Sequence, residues 1–93
     1  MTWQYDRDAD ALYVAFSDAQ VSRTIEADPL TMVDLDRHGT VVGVEVIHPA
    51  REWPLRELAD CGVGPGEIKH LRLLSRAADN RFNYEPPRPT VAV

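Results

Sequence analysis

The sequence predicts an α+β fold: an antiparallel β-meander of about five strands, with one or two C-terminal helices packed on one face. Three observations predict it. Up to Ile47, apolar and polar side chains alternate, the pattern of half-buried strands. From Ala50 to Asp79 the apolar side chains recur at spacings of three and four, the pattern of an amphipathic helix. Between them stands His48-Pro49, and proline lacks the N–H that a central strand needs.

The first strand is the short aromatic run Thr2-Trp3-Gln4-Tyr5. The loop Asp6-Arg7-Asp8-Ala9-Asp10 follows, where aspartates stabilise turns by accepting nearby backbone N–H groups. In the second strand Leu12, Val14 and Phe16 share one side, and Tyr13, Ala15 and Ser17 the other. After a turn at Asp18-Ala19-Gln20, Val21, Arg23 and Ile25 alternate with Ser22, Thr24 and Glu26, until Asp28-Pro29 breaks the pattern. Thr31 to Asp36 and Thr40 to His48 are rich in β-branched residues and complete the five.

The connection between the last two strands carries the most suggestive chemistry. In Val33 to Val46, the residues Asp34, Asp36, His38, Gly39 and Glu45 fall at positions 1, 3, 5, 6 and 12 of a calcium-loop template. Such a loop needs several oxygens at close range and helices on both flanks. Here position 5 is a histidine, position 9 is Val42, and both flanks favour strands. A hairpin explains more. A tight turn at His38-Gly39 puts Leu35 opposite Val42, Val33 opposite Val44 and Thr31 opposite Val46, one apolar face. The other face then pairs Asp36 with Val41, Asp34 with Gly43 and Met32 with Glu45. Asp36-x-x-Gly39 also fits a type I turn with a glycine bulge, which would move Asp34 opposite Val42. The sequence leaves both registers open. In either, Asp34 and Asp36 stand about 7 Å apart along a strand and cannot converge on one ion. No metal site is expected.

In the second half, Trp53, Leu55 and Leu58 have helical spacing, and a short helix begins at Pro54 and stops at Gly62. A second helix starts near Pro65, with Glu67 in its first turn and Ile68, Leu71, Leu74 and Ala78 as its apolar stripe. The Gly62 to Gly66 run is a helix stop followed by a helix start. A phosphate loop would need lysine where Glu67 stands. Three prolines within residues 86–89 predict an extended tail. The expected organisation is one α+β domain, residues 1–84, and a Pro-rich tail, residues 85–93.

Composition narrows the function classes. The net charge is −5 over 93 residues. Lys69, Arg72 and Arg76 form the only basic stripe, too few cations for a phosphate backbone, so nucleic acid is not the expected partner. An acidic chain suits a basic protein partner better. Cys61 is alone, which rules out an internal disulfide. No apolar run reaches a membrane span, and the acidic N-terminus lacks an apolar signal core, so no membrane is expected and the expected compartment is the cytoplasm. The histidines have no metal-ligand spacing, no nucleophile motif is present, and no cofactor is expected.

Two stretches are familiar when taken together. Tyr5 to Asp18 carries Tyr-Asp-x-x-x-Asp-x-Leu-Tyr-aliphatic, and Val33 to Ala50 carries an Asp-rich turn followed by Val-Val-Gly-aliphatic-Glu-aliphatic, with Arg23-Thr-x-Glu26 between them. Residues 3–50 thereby resemble the domain of unknown function 2283 family of small prokaryotic proteins. The resemblance implies a small antiparallel β domain and no established activity, so it carries no catalytic residues over. Its matching positions include Tyr5, Asp6, Asp10, Tyr13, Arg23, Glu26, Asp34, Gly43 and Glu45. Asp6 and Asp10 are expected to shape the first turn, Tyr13 to bond a turn aspartate, and Gly43 to allow close approach beside Asp34.

Besides a self-assembling scaffold with no ligand, two functions stay open at this level. One is an acidic protein-binding module, antitoxin-like or an accessory subunit. The other is a small enzyme or small-molecule binder using a face that holds Tyr13, Arg23, Glu26, Asp34 and Glu45. A deep pocket lined by those side chains would favour the second. The large apolar residues, Trp3, Phe16, Trp53, Ile68, Leu71, Leu74, Phe82 and Tyr84, exceed what one thin core covers. A homodimer joined through the C-terminal helix or tail is therefore expected.

Overall fold

A computed structural model describes residues 1–81. The expected tail, the domain end at residue 84, Phe82 and Tyr84 lie outside the described residues. Five antiparallel strands come first: β1 (Thr2–Asp6), β2 (Ala11–Ala15), β3 (Arg23–Asp28), β4 (Thr31–Leu35) and β5 (Val41–Ile47). Two helices follow, α1 (Leu55–Asp60) and α2 (Pro65–Arg81). The α+β class and its elements are as the periodicity predicts.

The strand order corrects the meander. It is β1-β2-β5-β4-β3, so β2 pairs with β5 and not with β3. The reason lies in burial. β5 is the longest strand and holds Val42, Gly43, Val44 and Val46 out of water, so the sheet gains most when β5 is paired on both sides. The connection from Phe16 to Ser22 must then span three strand spacings, about 14 Å. Extended chain of that length reaches about 23 Å. It starts where the Phe16 and Ser17 N–H groups both donate to the Val42 carbonyl, at 2.8 and 3.3 Å.

The β4–β5 hairpin combines both expected geometries. The Gly39 N–H donates to the Asp36 carbonyl at 3.0 Å, and Gly39 has φ +82, which makes a type I turn closed by a glycine in the left-handed region. Alone, that turn would set Asp34 opposite Val42. The observed pairs are instead Asp34 with Gly43, Val33 with Val44, Met32 with Glu45 and Thr31 with Val46. A bulge reconciles them: Leu35 faces Val41, Val42 is the extra residue, and the register recovers one step later. Two expected pairs fail, Leu35 with Val42 and Asp36 with Val41. Val42 is also the residue whose carbonyl anchors the β2–β3 connection.

One sheet face builds the core. Leu12, Val14, Val33, Val44 and Val46 are fully buried there, against Trp53, Leu58, Val63, Leu71 and Ala78. Each such aliphatic side chain contributes roughly 1.5–3 kcal/mol by leaving water. Ile68 and Leu74 are half-buried against the same cluster, so the predicted helical stripe faces the sheet. Thr31 is buried and polar, and its hydroxyl accepts a bond from Arg51 Nη2 at 2.7 Å. The same guanidinium holds the carbonyls of Leu30 and Ile47 and reaches Asp28 at 3.4 Å, fastening the first turn after β5 to the β3–β4 turn. The Trp53 indole N–H donates to the Pro49 carbonyl at 2.8 Å, so its ring enters the core with its polar atom satisfied.

Candidate functional site

The opposite sheet face carries no helix among the described residues. Paired residues share a face, so the ladder assigns its members. Across the middle lies the row Gln4, Tyr13, Glu45, Met32 and Glu26, and beside it Ala15, Gly43, Asp34 and Thr24. Four of the five predicted residues, Tyr13, Glu26, Asp34 and Glu45, are therefore on one face. Arg23 is not. It pairs with Leu35, which is buried in the core, so alternation turns Arg23 to the helix side at the sheet edge, where it is exposed.

Tyr13 and Asp34 form the fixed part of this face. The Tyr13 hydroxyl donates to Asp34 Oδ2 at 2.8 Å across β5, and the Thr24 hydroxyl donates to Oδ1 at 2.6 Å. Gly43 makes the crossing possible. A Cβ there would meet the Tyr13 hydroxyl, its Cζ at 2.6 Å and the Val14 carbonyl at 2.8 Å. Burial, then the bond and charge of Asp34, then the charge of Glu45, push the Tyr13 phenol well above its ordinary value. It stays protonated and donating at any physiological pH. Tyr13 thus bonds a strand aspartate and not the turn aspartate expected. Both Asp34 oxygens are engaged, so the pair works as a lock across three strands and not as a free acid and base.

The β4–β5 turn closes on itself in the same way. Asp36 Oδ1 accepts the N–H groups of His38 at 2.8 Å and Thr40 at 2.9 Å. These bonds, Thr40 first, hold its carboxyl below the usual range. Asp34 and Asp36 are thus held by separate protein donors. An open groove of about 490 Å³ runs between this turn and the β2–β3 connection, past Val21, Ser22, Arg37 and His38. None of the five predicted residues lines it.

A second constellation lies at the other end of β5. Asp10 and His48 extend the β2–β5 ladder, with the His48 N–H on the Asp10 carbonyl at 2.7 Å. Both residues have positive φ, 50 and 55, a conformation that L side chains rarely adopt. His48 Nδ1 stands 2.8 Å from Asp10 Oδ2, and the Tyr5 hydroxyl donates to Asp10 Oδ1 at 2.6 Å. Asp6 Oδ1 caps the adjoining turn by accepting Asp8 and Ala9 N–H. Together these bonds hold two residues in strained backbone, of order 1–3 kcal/mol each.

The model of the family described as "Protein of unknown function (DUF2283)" matches residues 3–48. This part of the chain belongs to the DUF2283 family. No curated protein and no solved structure matches the chain. The DUF2283 match takes in the five strands almost whole, the Tyr13–Asp34 lock and the Tyr5–Asp10–His48 cluster, and it stops at His48. Arg51, Trp53 and both helices lie beyond it. Asp10 is legible as a DUF2283 motif position, whereas the sequence shows His48 only as the residue before a proline. What could have found it is the ladder itself: once Leu12 faces Val46, Asp10 must meet His48.

The cluster makes a pH prediction. Burial alone would raise Asp10, but the bonds from Tyr5 and His48, and the charge of His48, outweigh it and hold the carboxyl below its ordinary 3.8. A carboxyl lowered in the folded state stabilises the fold above its unfolded pKa and loses that contribution as pH falls through the folded value. Thermal unfolding from pH 7 down to about 3 should therefore show a smaller acid-induced loss in Asp10→Asn than in the native chain. Equal losses would remove Asp10 from the acid response.

Proposed function

We propose that the protein is a small binding module whose helix-free sheet face receives a basic protein surface. One observation carries this reading. Among the described residues, no Lys or Arg occupies an outward strand position on that face, while Glu26 and Glu45 stand on it with no hydrogen bond or salt bridge. Half-buried Met32 and Ile47 supply apolar area among the acids. Acidic potential beside modest apolar surface favours the approach of a cationic, amphipathic partner. The engaged Tyr13–Asp34 pair supports binding over acid–base catalysis. No described helix is long and apolar enough to cross a membrane, and a cytoplasmic setting is part of the proposal.

The probe is a fluorescent amphipathic peptide rich in Lys, Arg and Leu, titrated by anisotropy. Binding should weaken about tenfold, roughly 1.4 kcal/mol, in Glu26→Gln/Glu45→Gln, and should fall as salt rises. Binding that is absent at low salt, or indifferent to the double substitution, would remove the proposal.

A further inference from the structure

The molecule carries a second surface that complements this face. On α2 the side chains of Lys69, Arg72, Leu73 and Arg76 are exposed, and Leu73, at 55%, is as exposed as any large apolar residue described. Their spacings of three and four put them on one stripe. Leu71 and Ala78, in the core, define the opposite side of the helix, so the stripe points away from the sheet. Lys69, Arg72 and Arg76 make no salt bridge to the described residues. Among the described residues, acids without a partner therefore look out from one side of the molecule and bases without a partner from the other.

We infer that the basic surface received by the sheet face is the α2 stripe of a second copy of this chain. The inference rests on the proposed binding face and names its occupant. The dimensions agree. Glu26 and Glu45 flank Met32 across two strand spacings, about 9.6 Å. Lys69 and Arg76 are seven residues apart on a helix, about 10.5 Å, with Leu73 between them. A helix laid across β3, β4 and β5 sets Lys69 and Arg76 over the two glutamates and Leu73 over Met32, the apolar contact central and the ion pairs at its rim. The expected C-terminal helix is then in the interface, but the symmetry differs from a two-fold dimer. The two surfaces point in opposite directions, so one copy cannot use both against the same neighbour. The contact is heterologous and adds copies head to tail.

Light scattering on the full chain tests this, with complementary variants. The native chain should grow in mean mass with concentration and return to monomer in about 1 M salt, where the Debye length is about 3 Å. Glu26→Gln/Glu45→Gln keeps the stripe, and Lys69→Gln/Arg76→Gln keeps the sheet face. All four positions are partly or wholly exposed, so both variants should fold. Each alone should be monomeric, and an equimolar mixture should give a dimer that grows no further. A native chain that stays monomeric at every concentration overturns the inference, as does a mixture that stays monomeric. Adding the cationic probe peptide to Lys69→Gln/Arg76→Gln separates the two readings. If the probe binds while copies do not associate, only the second copy is rejected as occupant; if neither occurs, the binding face falls too.

Discussion

Val44→Asp should abolish folding, while Glu45→Lys, one residue away, should leave the fold intact. Val44 is fully buried at the centre of the sheet, paired with Val14 on one side and Val33 on the other. A carboxylate there would have no partner, and the cost of an unpaired buried charge is several kcal/mol. The lost apolar burial adds roughly 1.5–3 kcal/mol. A natural domain holds only roughly 5–15 kcal/mol in total. Glu45 lies on the helix-free face, half-buried, and the incoming ammonium would sit near Asp34 and the Tyr13 hydroxyl. Circular dichroism and urea titration of the two variants suffice. A cooperative unfolding transition in Val44→Asp would mean that the β5 register is inverted.

The second large effect is expected at Gly43. In Gly43→Ala the new methyl group would occupy the path of the Tyr13 ring and press on the Val14 carbonyl, which belongs to a paired strand and cannot turn away. Tyr13 must leave Asp34. Loss of that bond at a part-buried carboxylate costs about 1–3 kcal/mol, and overpacking against backbone costs about as much again. A total near 3 kcal/mol corresponds to a fall of about 15 °C in Tm for a domain of this size. The double variant Tyr13→Ala/Gly43→Ala separates the two causes. It removes the ring but not the Val14 carbonyl, so it should restore only part of the stability lost in Gly43→Ala relative to Tyr13→Ala. Unfolding of Gly43→Ala at the native temperature would contradict the close approach.

The turn between β4 and β5 carries two local signals that disagree. Asp36-x-x-Gly39 correctly signalled a type I turn with a left-handed glycine, and the apolar pattern correctly signalled Val33 opposite Val44. The two signals conflict by one residue. The conflict disappears only with a bulge at Val42, whose extra residue is held by N–H groups from the distant β2–β3 connection. Arg51 was similarly silent. An exposed-looking arginine after a proline gives no hint that three backbone carbonyls and a buried threonine await it. Of the predicted face, Tyr13, Glu26, Asp34 and Glu45 were legible because alternation within a strand is local. Arg23 does not share that face, as alternation within its own strand already requires: Arg23 and Ile25 lie against Thr24 and Glu26.

By itself, the sequence determined the α+β class, about five strands followed by one or two helices, and an acidic balance with no basic strand positions outside Arg23. These follow from periodicity and composition, which act within a few residues of chain. Only the tertiary structure decided that β5 lies between β2 and β4, that Tyr13 reaches Asp34 over Gly43, that Asp10 meets His48, and that the acidic face and the α2 stripe point apart. Each of those joins residues distant in the chain. They are selected by which arrangement buries the most apolar surface while leaving every backbone group bonded, a condition of the whole chain that no single segment expresses.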